Sequence, residues 1–92
     1  MTPEHLSALI VAGEGKKNDE GWIALPEGRS LTLYVAAGNS TLTIGRIQTL
    51  RVDNALLHAR TYKGEHYVIA LVDAYAGSVD APAGVAKKAG FL

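Results

Sequence analysis

Cysteine is absent from this chain, so neither a disulfide framework nor a thiolate metal site can be built from it. That suits a reducing compartment. The longest apolar run near the start of the sequence, 6–12, is interrupted by Ser7, is too short to span a bilayer and follows no basic leader. The expectation is a cytoplasmic chain with no membrane association. An excess of charge of either sign is also lacking: nine Lys and Arg balance nine Asp and Glu. No net field then steers the chain towards nucleic acid or an anionic membrane, although a local patch is still allowed. No internal repeat of useful length occurs.

Reactive constellations are missing as well. Ser7, Ser30, Ser40 and Ser78 stand in no nucleophile-elbow context, and no paired carboxylates fall at matched positions on facing strands. The Gly-x-Gly at Gly13 to Gly15 follows no strand, opens no helix and is not completed to GxGxxG, so it is not a phosphate loop. The chain is expected not to be an enzyme.

What is present is a β-rich middle. A chain of 92 residues makes a single domain, of a size that buries roughly 60–65 % of its unfolded surface. Residues 31–71, LTLYVAAGNSTLTIGRIQTLRVDNALLHARTYKGEHYVIAL, read as strands joined by three short turns. Before them, Thr2 caps a helix over 3–12 that has Pro3 in its first position and ends at Gly13. Its Leu6, Leu9 and Ile10 stripe is expected to cover one end of the sheet. The alternative is a protruding helix that mediates dimerisation, since a helix this short is marginal unless its stripe is buried. Residues 13–21 are polar and aperiodic, and read as a mobile connector.

The first turn of the middle region is Gly38-Asn39, a two-residue turn of the primed kind that pairs Ala37 with Ser40, Val35 with Leu42 and Leu33 with Ile44. Tyr34 then lies opposite Thr43 on the polar side. Gly45 breaks the alternation where Arg46 would enter the buried row, which predicts a bulge. Asp53-Asn54 makes the second turn, with Val52 against Ala55 and Leu50 against Leu57. For the third, a loop of Tyr62, Lys63 and Gly64 puts glycine in the left-handed position. Its register sends Leu57, Ala59, Tyr67, Ile69 and Leu71 inwards, and His58, Arg60, His66 and Val68 outwards. A turn or single 3₁₀ turn and a brief strand at 78–80 close the domain. The tail, 81–92, is expected to be flexible, or else to dock Val85, Phe91 and Leu92 on the helix.

The outward face of the third hairpin carries the candidate site. His58, Arg60, Tyr62 and Lys63 form a basic and aromatic edge flanked by Tyr34, and His66 lies diagonally from His58 at about 7 Å. A metal can bridge that spacing, but Arg60 stands opposite His66 and repels a cation, and no third ligand is fixed. No metal and no cofactor is therefore expected. Trp22 is read as a lid over the barrel mouth, with the alternative of a partly exposed anchor for a ligand peptide. The edge suits an acidic peptide, or single-stranded nucleic acid that it stacks and neutralises; it is also what the solvated side of an antiparallel sheet commonly carries.

Asn39-Ser40-Thr41 lies in a turn similar to part of the Asp/Asn-x-Ser-x-x-Gly motif of the cyclic-dinucleotide-binding PilZ barrels. The closing glycine would fall at Ile44 and no Arg-x-x-x-Arg stretch precedes the barrel, so no family is assigned from it. The expected fold is a mainly β (α+β), small antiparallel SH3-like or split barrel of five to six strands over 22–80 with one N-terminal helix; a flat sheet with the helix on one face is the alternative. The expected function is a non-catalytic interaction module that binds a protein or peptide partner through the His58/Arg60/Tyr62 face or an exposed strand edge, as a monomer or a homodimer. A small nucleic-acid or nucleotide-binding protein is the second reading.

Overall fold

The computed structural model describes residues 1–80, so the expectations for the tail lie outside the described residues. Helix α1, Pro3–Ala12, is capped as its sequence predicts: the Thr2 hydroxyl accepts a hydrogen bond from the His5 amide at 3.0 Å, and Gly13 ends the helix. Its stripe packs on the chain's own sheet and does not protrude. Leu6 is buried, and Leu9 lies so close over Gly77 that a Cβ there would meet it at 2.6 Å. The Met1 amine ties the start of the helix to the same region by donating to the carbonyls of Leu71, at 3.1 Å, and Ala74. Among the described residues no helix is long and apolar enough to cross a membrane.

Among the described residues seven antiparallel strands follow: β1 (Lys16–Lys17), β2 (Ile23–Ala24), β3 (Ser30–Ala37), β4 (Ser40–Asp53), β5 (Leu56–Thr61), β6 (His66–Ala70) and β7 (Ala74–Asp80). A 3₁₀ turn, Leu71–Asp73, joins the last two. The strand order is β1-β2-β4-β3-β7, with β5 on the other edge of β4 and β6 outside β5. Curling closes this sheet only part-way, into a half-barrel rather than a flat sheet. Two differences from the sequence reading account for the strand count and the closing strand. The polar connector contributes the two residues of β1, because the Asn18 carboxamide accepts from the amides of Glu20 and Trp22 and folds Lys17 back against Ile23. Strand β7 begins at Ala74 rather than Ser78 and pairs along β3, with Tyr75 as an extra residue between Ala74 and Ala76.

The first and third hairpins adopt the expected registers. Ala37 pairs with Ser40, Val35 with Leu42 and Leu33 with Ile44; Arg60 pairs with His66, Ala59 with Tyr67, and Gly64 sits at φ 84°. The second turn is shifted by one residue. Asp53 pairs with Leu56 and Leu50 with Ala59, so the loop is Asn54-Ala55, with Asn54 at φ 57°. Asn tolerates the left-handed region better than other side chains, and it takes the first central position. Faces are preserved by this shift, because each strand still alternates about the same residues.

Strand β4 is the bent spine. Leu33 pairs with Ile44 but Leu31 with Ile47, which places one extra residue at Gly45-Arg46, as predicted. The left-handed residue of this bulge is nevertheless Arg46, at φ 57°, and not the glycine beside it. A second irregularity follows between Ile47 and Thr49 against β5. The two together turn β4 enough for Leu31, Leu33, Ile44, Ile47, Leu50 and Leu57 to meet in one fully enclosed core. Leu42, expected on the aliphatic face, lies beyond that core at the hairpin tip and is 38 % exposed.

Candidate functional site

Alternation along β5 places Leu57 and Ala59 in the core, and therefore His58 and Arg60 on the outer face. On β6, His66 stands opposite Arg60 and Val68 opposite His58. Trp22 reaches the same face from the other side of β4. Ile23 pairs with Leu50 and packs on the core, so its neighbour Trp22 points outwards. The Asn18 turn holds it there, with the Trp22 amide 3.0 Å from the Asn18 side-chain oxygen.

These four side chains form one cluster. His58 Nδ1 and His66 Nε2 are 3.2 Å apart, a hydrogen bond in which either ring can donate. Both imidazoles stand in T-shaped contact with the Trp22 ring, at centroid distances of 6.3 and 5.9 Å. The Arg60 guanidinium lies over the indole, with Cζ 4.1 Å from the ring centroid, a cation–π contact worth about 0.5–1 kcal/mol on a surface. Trp22 is thus a half-exposed member of the outer cluster, and the lid expected over the barrel mouth is corrected: the indole is not part of the core. Among the described residues no group of three or more His, Cys, Asp and Glu is placed to hold a metal ion.

The other predicted residues lie elsewhere. Tyr62 turns away from the cluster and its hydroxyl donates to the Arg29 carbonyl at 3.1 Å, beside an open concavity of about 430 Å³ also lined by Arg46 and Asp80. Lys63 borders a different concavity with Thr43, Arg46 and Glu65. Tyr34 packs near Tyr75, at a centroid distance of 6.5 Å, and the Tyr75 hydroxyl lies 3.1 Å from that of Thr41. The seven residues proposed from sequence therefore divide into one four-residue cluster and three separate positions.

Sequence reasoning missed two features of this surface. One is Arg46, whose left-handed backbone puts its side chain between the two concavities; the interrupted alternation at Gly45 signalled the bulge without saying which residue would take the positive φ. The other is the contact of Trp22 with the histidines, which depends on β2 joining β4. The alternation of Trp22 with Ile23 was its only local sign. Comparison of the chain with protein-family models, with curated proteins and with solved structures returns no match.

Proposed function

We propose that the chain is a non-catalytic interaction module that binds a protein partner on the outer face of β5 and β6. The observation that carries this reading is the Trp22, His58, Arg60 and His66 cluster, set beside the exposed Val68 on a rigid sheet. An indole and an arginine held together supply the combination that dominates protein-binding surfaces, a large apolar area next to a fixed cation. The imidazoles add two more hydrogen-bonding groups. A segment bearing an acidic or aromatic side chain fits this chemistry, since the described positive groups here are Arg60 and Arg51, and the latter already faces Asp53 at 3.7 Å.

A second reading is supported by the same Arg60–Trp22 pair, because an aromatic ring with an adjacent cation is also the unit of single-stranded nucleic-acid binding. Balanced charge and the guanidinium lying across the indole favour the protein partner. Affinity capture from the source cell with the wild-type chain and with Arg60→Glu as baits, each with and without nuclease, tests both. Proteins held by the wild type and lost by Arg60→Glu are expected, with far-UV circular dichroism unchanged. The same proteins on both baits would remove the cluster as the binding site. Capture that vanishes with nuclease and falls steeply with salt would select the nucleic-acid reading.

A further inference from the structure

Among the described residues strand β6 ends the sheet. Among those residues it pairs with β5 alone, and its other edge carries unpaired backbone groups. Which groups these are follows from the phase of the ladder. The Thr61 amide donates to the Glu65 carbonyl at 2.9 Å, and the Leu71 amide to the Ala55 carbonyl at 2.8 Å. Pairs exchanging hydrogen bonds alternate with pairs that do not, so Ala59–Tyr67 and Leu57–Ile69 are bonded, while Arg60–His66, His58–Val68 and Leu56–Ala70 are not. The amides and carbonyls of His66, Val68 and Ala70 therefore all point out of the sheet.

We propose that this edge pairs with the same edge of a second copy of the chain, about a two-fold axis through Val68. This goes beyond the reading of the Trp22, His58, Arg60 and His66 cluster as a protein-binding surface: the edge lies beside that cluster and takes a second copy, leaving the cluster free. An antiparallel pair centred on Val68 matches Val68 with Val68 of the second copy and His66 with Ala70. All three edge-facing residues are then satisfied on both chains, giving about six backbone hydrogen bonds. The register is self-complementary in its side chains too. On the outer face Val68, 51 % exposed, meets its own copy. On the inner face the half-buried Tyr67 meets Ile69, an aromatic and β-branched pair, and no like charges face each other. Strand β6, sequence HYVIA, also lacks what shields a free edge: it contains no lysine, no proline and no register shift.

Pairing through one two-fold axis is a closed, isologous interface, so it stops at two chains. It would place both Trp22, His58, Arg60 and His66 clusters on one continuous outer face. The two His66 positions would stand about 14 Å apart, from four residues along the strand and one strand spacing across. Such a dimer is bivalent, and a partner carrying two acidic segments gains avidity from it.

Sedimentation equilibrium of the full chain up to about 500 µM tests the pairing, above the micromolar range expected for so small an interface. The wild type is expected to reach the mass of two chains. Val68→Pro and Val68→Lys are expected to remain at one, because proline removes an amide that β5 does not use and lysine places a charge on the axis. Far-UV circular dichroism identifies any variant that has merely unfolded. A wild-type mass of one chain, or two-chain mass in both folded variants, overturns the proposal. So does a one-chain mass that becomes two when 81–92 is removed, which would assign the edge to the chain's own C-terminal segment. Arg60→Glu lies off the edge and is expected to keep the two-chain mass, so loss of partner capture and loss of dimerisation report on separate ideas.

Discussion

Alanine at Gly77 probes the place where helix and sheet come closest. A Cβ built there lies 2.6 Å from Leu9 Cδ1, 3.0 Å from Leu33 Cδ2 and 3.3 Å from the Thr32 carbonyl oxygen. Carbon atoms prefer about 3.5–4.0 Å, so the nearest neighbour must give way by about 1 Å. Leu9 is half-buried and can swing, but Leu33 is fully enclosed and the carbonyl belongs to the ladder of β3. Overpacking of this kind costs about 1–3 kcal/mol. The backbone at Gly77 does not occupy the left-handed region, so alanine also gains about 0.4–1 kcal/mol by stiffening the unfolded chain. A net loss of about 1–2 kcal/mol remains, or about 5–15 °C in Tm for a domain of this size. Thermal and urea unfolding of the wild type, Gly77→Ala, Leu9→Ala and the double variant form a cycle. If Leu9 supplies most of the resistance, Gly77→Ala costs about 1 kcal/mol less once Leu9 is alanine. Additive losses, or a rise in Tm for Gly77→Ala alone, would refute the seating of the helix on β7.

Other outcomes follow from burial and backbone angle. Leu33→Asp puts a charge where the side chain is wholly enclosed, at a cost comparable to the 5–15 kcal/mol that holds a domain together; loss of dispersion in a proton NMR spectrum is expected, and a native-like spectrum would contradict the assigned core. Gly64→Ala must adopt φ 84° and should lose about 1–2 kcal/mol in urea unfolding. Gly45→Ala has no positive φ and finds nothing nearer than Thr32 Oγ1 at 3.8 Å, so its stability should stay within about 0.5 kcal/mol of the wild type. Equal losses at the two glycines would show that backbone angle is not what separates them.

Local turn chemistry explains which parts of this fold can be read from the residues alone. Gly38-Asn39 and the loop ending in Gly64 each admit one register at low steric cost, and both hairpins formed in it. Asp53, Asn54 and Ala55 admit two turns that leave the same residues facing the core, so hydrophobic patterning has no power to choose between them; the conformational tolerance of Asn54 does. Strand β1 was hidden because two lysines carry no apolar alternation, and its pairing depends on the side chain of Asn18. For the outer surface the facing of His58, Arg60 and His66 was legible from the third hairpin. The joining of Trp22 to them was not, since it needs β2 to lie along β4 far away in sequence. Tyr34, Tyr62 and Lys63 share the polar exterior without sharing a neighbourhood, because the bend of β4 separates positions that a flat sheet would hold together.

The central strand is gripped from both flanks: Ile47 is matched by Leu31 and Thr61, and Leu50 by Ile23 and Ala59. A ribbon held this way cannot shed one neighbour and survive on the other, because its two bulges and the enclosed side chains between them are shared by both halves of the sheet. Exchange of the Ile47 and Leu50 amides with deuterated solvent should therefore wait for the whole domain to come apart, while Lys16–Lys17, and His66–Ala70 in the single-chain state, exchange through local fraying. Rigidity graded in this way would fall off from β4 towards the proposed binding surface on β5 and β6.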